Sequence, residues 1–338
     1  MKLPGAAIPS VLILAVALWV SIASGDSEGA GNDIYRVFVE ETTGGDGIGV
    51  FTVATGPAHP DGEGREVLFG EGGPEDAATS YITLRSYTTG TDYVQTSRGP
   101  GSGYLVEEMG PAGTVEPIAA GYRTTYDLGD AGLQDALTAE SRVQVEGTTV
   151  ANSLVRLKTT LTNAGSFPLE IGVRYLLDLA PYGDDGPARA VRGSDVVDTR
   201  EGDISPGTIY QFWSSAPHDG PSLEVAPGGN VAADRAVYAY WPDAFGFAWD
   251  YTSRGRDIAS DGGLNDAALL YYFGATRDTA LRIDPGASVT VELVLRGGFP
   301  AVPATPTPTP SPGPQGATAT PTPTPLRMPV ALPRTGGR

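Results

Sequence analysis

Three carboxylates lie close together at Asp178, Asp184 and Asp185, in the run Asp-Leu-Ala-Pro-Tyr-Gly-Asp-Asp-Gly. Calcium takes about six to eight oxygens from carboxylates and carbonyls, so these three acids form a candidate calcium site. Their spacing is not that of a helix-loop-helix calcium loop, and Asp-Asp-Gly is equally a good turn sequence. Aromatic rings crowd together at Tyr238, Tyr240, Trp241, Phe245, Phe247, Trp249 and Tyr251. Exposed rings stack on sugar faces, which makes carbohydrate binding one reading of this stretch. Alternation puts Phe245, Phe247, Trp249 and Tyr251 on one side of an expected strand, the pattern of a core stripe. Tyr240 and Trp241, beside the Pro242-Asp243 turn, are therefore the candidate glycan contacts. The only histidines are His59 and His218, too few for a histidine-rich metal site. There is no Gly-x-Ser-x-Gly, His-Glu-x-x-His or phosphate loop. With 40 acidic residues, no glycosidase-type carboxylate pair stands out. No residue is given a catalytic role, and an enzyme is the less favoured reading. One further motif is Leu332-Pro333-Arg334-Thr335-Gly336, near the end of the chain. Pro333 holds the residue before it extended, and Gly336 admits close approach to the carbonyl of Thr335.

The elements that must position these groups read as strands. Val155, Leu157, Thr159 and Leu161 alternate with Arg156, Lys158, Thr160 and Thr162, the period of a strand with one buried face. Arg142 to Glu146 precedes it across Gly147-Thr148-Thr149 and completes an expected hairpin. Further strands are expected at residues 34–39, 49–54, 81–87, 171–179, 209–213, 237–241, 244–251, 269–274 and 289–295. Residues 133–140 are the one candidate for a short helix. The 46 glycines and 29 prolines fit many tight turns and blunted sheet edges. So many strands in one body predict an all-β fold, a large antiparallel sandwich of two packed sheets.

Both ends of the chain point outward from the cell. Lys2, the apolar run Val11 to Val20 and the small residues after it have the layout of a secretory signal peptide. That run is about half of the roughly 20 residues a spanning helix needs, so no membrane span is expected in the mature chain. There is no cysteine, which removes disulfides and a lipid-modified cysteine anchor. The expected organisation is a signal peptide (1–24), a flexible segment (25–32), the β-domain (33–300), a Thr/Pro-rich linker (301–331) and a terminal tail (332–338). All 40 acids but only 18 of the 22 bases fall in residues 25–300, a net charge of about −22 that repels nucleic acid and anionic lipid. The Thr-Pro alternation cannot form helix or sheet. At about 3.1 Å per residue in polyproline II, residues 303–325 would span roughly 70 Å as a stiff spacer.

Two resemblances refine this reading. Leu332 to Gly336 resembles the LPXTG signal of cell-wall-anchored bacterial proteins, with Arg334 at the free position. The resemblance implies a sortase whose cysteine attacks the Thr335 carbonyl and passes the acyl group to a cell-wall or pilin amine. Sorting signals of that kind also carry a hydrophobic span and a basic tail, whereas only Gly337 and Arg338 follow here; a longer reading frame, different machinery and secretion without attachment all stay open. Arg156 to Asn163, Gly172 to Asp178, Asp184-Asp185-Gly186 and Asp284 to Val291 resemble the strand and turn phrases of β-supersandwich domains of the galactose-mutarotase-like kind. The expectation is an exported cell-surface structural or adhesive sandwich on a Thr-Pro stalk. Its alternative is a secreted carbohydrate-binding or carbohydrate-active protein.

Overall fold

The structure, a computed structural model, describes residues 29–298 except 43–46, 72, 74, 97–102, 130–136, 183–187, 192–196, 214–221 and 259–265. The expected signal peptide, linker and pentapeptide lie outside the described residues, as do Asp184, Asp185 and His218. The chain begins with β1 (Ala30–Gly31), β2 (Tyr35–Val39), β3 (Phe51–Thr55) and β4 (Glu66–Leu68), which pair in that order as a small antiparallel sheet. It continues through β5 (Tyr81–Ser86), β6 (Thr91–Val94), β7 (Leu105–Glu108), β8 (Gly113–Ile118), β9 (Gly121–Asp127), β10 (Leu137–Glu146), β11 (Leu154–Asn163) and β12 (Leu169–Asp178). Next come β13 (Ala188–Val191), β14 (Val197–Asp198), β15 (Gly202–Ile204), β16 (Tyr210–Trp213), β17 (Ser222–Gly228) and β18 (Arg235–Tyr240). A one-turn helix α1 (Trp241–Phe245) precedes β19 (Ala267–Phe273), β20 (Leu281–Ile283) and β21 (Ser288–Gly298).

Two large sheets form the body. One has nine strands in the order β14-β13-β16-β17-β21-β11-β10-β9-β8, and the other has eight, β15-β18-β19-β12-β5-β6-β7 with β20 also on β12. All described pairings are antiparallel except the parallel β6–β7 pair. The β10–β11 hairpin is the clearest case of sequence dictating structure. Its register runs from Leu137 opposite Asn163 to Glu146 opposite Leu154, with inward residues buried and outward ones not. The turn is longer than Gly147-Thr148-Thr149, because Asn152 Oδ1 accepts from the amides of Thr148 and Thr149 and closes a wider loop. Leu137 to Glu140 belong to β10, which corrects the expected helix: in its register Leu137 and Ala139 must point inward on a period of two.

The central strands of the eight-stranded sheet are buried on both faces. Ile171 to Asp178 in β12 and all of β19 are inaccessible, and strands covered on both sides read as continuous apolar runs. On one face Ile171, Val173, Tyr175 and Leu177 meet the nine-stranded sheet in the main core, where the Tyr175 hydroxyl lies 2.7 Å from Thr159 Oγ1 of β11. On the other face Tyr81, Leu176, Leu270 and Tyr272 lie beneath the segment 241–257, which contributes Ala244, Trp249 and Tyr251 to a second cluster. This segment corrects the expected strand at 244–251. Both edges of β18 are already paired, by β15 and β19, so the chain after Tyr240 has no edge to join. It turns instead into α1, where Pro242 sits in the first turn, a position that needs no amide donor, and crosses the sheet face. The Trp249 ring lies against β12 at Gly172, where a Cβ would stand 2.6 Å from Trp249 Cη2.

Polar groups fix this strap. Arg85 of β5, 4% exposed, bonds Asp92 of β6 through Nε at 2.6 Å and Nη2 at 2.7 Å. The same guanidinium holds Asp250 of the strap at 3.0 and 2.7 Å, and it lies over the rings of Tyr104 and Trp249 at 4.0 and 5.1 Å. Glu201 accepts from the Tyr251 hydroxyl at 2.7 Å, from the Tyr240 amide at 3.3 Å, and from the amides of Arg254 and Arg256. These donors hold its carboxyl below the usual range against the opposing effect of burial. Arg85→Met would leave Asp92, fully buried, without its cation. Breaking a buried pair from one side costs about 3–5 kcal/mol, so the urea midpoint followed by tryptophan fluorescence should fall by that equivalent, and by distinctly less in Asp250→Asn, whose side chain is 40% exposed.

Candidate functional site

With one sheet covered, the outer face of the nine-stranded sheet is where ordered side chains meet solvent. Successive registers lay its residues out in rows. Glu116, Arg123, Arg142, Lys158 and Glu292 stand directly opposite one another on β8, β9, β10, β11 and β21. The next row is Thr114, Thr125, Glu140, Thr160 and Thr290, and the one after it Asp127, Thr138, Thr162 and Ser288. Three cations in a row repel, and the carboxylates around them offset this. Arg123 bonds Glu116, Arg142 bonds Glu140 at 2.7 Å, and Lys158 Nζ lies 3.8 Å from Glu292 Oε1. Arg156 bridges Glu146 and Glu292 at 2.8 and 2.9 Å, and its hydrogen bonds hold Glu146 below the ordinary carboxylate range. Arg142, Gln144, Glu146, Arg156, Lys158 and Glu292 enclose a shallow groove of about 290 Å³.

A second concavity, about 420 Å³, opens where the chain crosses between sheets from β7 to β8. Glu107 and Glu108 line it from the eight-stranded sheet, Thr114 and Asp127 from the nine-stranded one, with Tyr93 and Pro111 also on its wall. Sequence reading passed over these acids because nothing in their spacing sets them apart; only the crossing at Met109 to Gly113 brings them together.

Among the described residues, those singled out from sequence do not converge. Tyr240 is 7% exposed and the Arg256 guanidinium covers its ring at 4.8 Å, which corrects the expectation of an exposed ring: as the last residue of β18 it points into the inter-sheet core. Trp241 is half-buried and stacks on Phe245 at 4.5 Å. Of the expected aromatic stripe, Trp249 and Tyr251 are core and Phe247 is exposed. Asp178 ends β12, 2% exposed, with its amide donating to Ser80 Oγ at 3.0 Å; its two expected partners in calcium binding fall outside the described residues. Among the described residues no group of three or more His, Asp or Glu is arranged to hold a metal ion, and no helix is long and apolar enough to cross a membrane.

His59 sits in a buried polar knot at the end of the small sheet. Its ring stacks on Tyr182 at 5.3 Å and tilts against Tyr35 at 5.5 Å, and Nδ1 accepts from the Asp61 amide at 3.2 Å. The Tyr182 hydroxyl donates to the Ser222 carbonyl at 3.1 Å, and Tyr35 Oη accepts from the Gly297 amide at 2.7 Å. The knot thus ties the first sheet to β17 and β21. Burial raises both phenols, Tyr35 to about 12.

No protein-family model matches the chain, and no curated protein does. Among solved structures it is similar to a galactose mutarotase related enzyme from Lactobacillus acidophilus, at 11% identity and TM-score 0.45 over 80% of this chain and 97% of that one. It is similar to a galactose mutarotase-like protein from Lactobacillus casei, at 11% identity and TM-score 0.43 over 80% and 99%. A third is an aldose epimerase homologue from C. elegans, at 10% identity and TM-score 0.38 over 79% and 98%. These are proteins of the kind that the strand and turn phrases resemble, and a likeness of this size assigns the chain neither activity nor ligand.

Burial lowers His59 from 6.5 to about 4. In the folded state the ring stays neutral until the pH approaches 4, whereas the unfolded chain takes up that proton near 6.5, so stability is whole above about 6.5 and declines as the pH falls from there. One proton contributes a slope of up to about 1.4 kcal/mol per pH unit. Urea midpoints taken at steps between pH 7 and 4 should trace this decline and flatten in His59→Gln; an equal slope in the variant would assign the titration to another group.

Proposed function

We propose that this chain is an exported surface protein whose β-sandwich serves as a contact and spacing module, displayed on a Thr-Pro stalk and joined to the envelope through Thr335. The reading is carried by the contrast between the two outer sheet faces. One is filled by the chain's own strap, and the other is a broad array of fixed charges and hydroxyls with only a shallow groove. A surface of that kind suits contact with another polar surface better than enclosure of a small substrate, since small-molecule sites are concave and largely apolar. The large apolar side chains that stand exposed among the described residues are Leu105, Phe167 and Phe247, so adhesion through this face would be polar and salt-sensitive.

A second reading, carbohydrate binding, rests on the edge cleft. Glu107 and Asp127 from opposite sheets present acceptors to the hydroxyls of a sugar ring, and a volume of about 420 Å³ lies within the range of ligand pockets. Glu107→Gln with Asp127→Asn should then abolish signals on a glycan array that the parent chain gives; a parent chain that gives none removes this reading.

Envelope fractionation of the parent chain and of a variant lacking Leu332 to Gly336 tests the first reading. Retention of the parent and release of the variant into the medium are expected. Equal release would show that the pentapeptide attaches nothing. Arg123→Glu with Arg142→Glu should weaken adherence of the purified chain to isolated envelopes, and raised salt should weaken the parent in the same way.

A further inference from the structure

The eight-stranded sheet ends at β7 and the nine-stranded one at β8, and the turn from Met109 to Gly113 joins these two edges with the cleft of about 420 Å³ between them. The edges differ in what they offer. β8 carries Pro117, which has no amide hydrogen and blunts an edge. β7, Leu-Val-Glu-Glu, has no proline. It pairs in parallel with β6 on one side, and among the described residues no strand pairs it on the other. The Leu105 amide donates to the Gly90 carbonyl at 3.0 Å and the Met109 amide to the Val94 carbonyl at 2.7 Å. Backbone groups alternate in direction along a strand, so Glu107 also turns its amide and carbonyl to β6, while Val106 and Glu108 turn theirs to the open edge. Two donors and two acceptors stand there in a row.

The side chains around this edge restrict what can join it. Glu107 is half-buried and Glu108 exposed, both on the cleft wall, with Asp127 across from them. No base is among the described residues that line the cleft. Leu105, at the head of the strand, is 59% exposed. A second copy of this chain would bring its own Glu107 and Glu108 and another domain charge of about −22, so self-pairing is opposed. An extended segment with basic side chains meets a field of the opposite sign.

We propose that the open edge of β7 receives an extended, basic segment of a partner protein, which adds to the sheet as a further strand beside Val106 and Glu108. Main-chain hydrogen bonds to these two residues hold the segment. Glu107, Glu108 and Asp127 select its bases, one of which enters the cleft, and Leu105 gives an apolar contact at one end. The contact uses a sheet edge rather than the charged outer face of the nine-stranded sheet, and it stands independently of attachment through Leu332 to Gly336.

The test titrates the purified chain into a fluorescently labelled peptide, Arg-Val-Arg-Val-Arg, and maps amide hydrogen exchange by NMR with and without it. Saturable binding that weakens with salt is expected, with exchange slowed at Val106 and Glu108 and unchanged at Leu105 and Glu107, whose amides are already bonded. The peptide Glu-Val-Glu-Val-Glu should not bind. Val106→Pro removes one outward donor without touching a bond to β6, and it should weaken binding about fivefold, the effect of one lost hydrogen bond. Methylating alternate amides of the peptide makes the same test without altering the chain: one set should abolish binding and the other should not. Glu107→Gln with Glu108→Gln should flatten the salt dependence. Binding with unchanged exchange at Val106 and Glu108, or equal binding by both methylated forms, shows attraction by charge alone and overturns the proposal. Equal binding of the acidic peptide overturns it as well. Protection of Val106 and Glu108 that rises with protein concentration in the absence of peptide assigns the edge to a second copy and overturns the choice of partner. A glycan that occupies the cleft while the basic peptide does not bind overturns the proposal and keeps the carbohydrate reading; binding of neither overturns both.

Discussion

The guanidinium of Arg85 is the interaction on which one whole side of the molecule depends. Burying an arginine is costly unless its donors are met and its charge is balanced, and here Asp92 and Asp250 do both. Asp92 lies on the neighbouring strand and comes with the sheet. Asp250 comes from a segment whose β-pairing is the single bridge of Asp257 with Arg200, so forming the second half of the pair means laying residues 241–257 across the sheet. Trp249 and Tyr251 then reach the second core cluster, and Glu201 gathers the amides of Tyr240, Arg254 and Arg256 that a strand would otherwise have bonded. Electrostatics and apolar burial fix the same conformation, which is the consistency expected of a specified structure.

That choice also determines where the molecule can act. The eight-stranded sheet spends both faces of its central strands on packing, one against its partner sheet and one against the strap. The nine-stranded sheet keeps one face for solvent, and the regular antiparallel ladder turns its polar residues into straight rows of charge and hydroxyl. A domain with a net charge of about −22 thereby carries four of its cations, Arg123, Arg142, Arg156 and Lys158, together on one face, each beside a carboxylate. The stripe is an ordered pattern of both signs within a negative field, and its short-range contacts are screened less than that long-range field.

How far the sequence disclosed this follows from the same packing. β11, β21 and the Arg142–Glu146 part of β10 were legible because each buries one face only and alternates cleanly, whereas Leu137 to Glu140 read as a helix. β12 and β19 were legible as apolar runs. β6 was not, since Asp92 sits buried in its middle as the partner of Arg85, and an acid in a short run argues against a strand. β9 hid for a related reason: its inward face is Tyr122, Thr124 and Tyr126, where a buried threonine blurs the apolar period. The stretch from Ala244 to Tyr251 shows the opposite error. Its alternation is real, but Phe245 packs toward Tyr81, Trp249 toward Gly172 and Tyr251 toward Glu201, three environments that mimic one face of a strand. The groups that meet in space lie too far apart in sequence to be paired by inspection. Arg85 and Asp250 are separated by 165 residues, and Arg156 and Glu292 by 136.

A rigid sheet also shapes what chemistry its face can support. A side chain in the middle of a nine-stranded sheet loses little further backbone freedom when it reacts or binds, because folding has already fixed the strand beneath it. Lys158 and Glu292 face each other across a register that runs unbroken from Val155 opposite Leu295 to Thr162 opposite Ser288, so their separation is set by the ladder and adjusted only by side-chain rotation. Whatever meets this face supplies the remaining freedom and bears the cost of its loss.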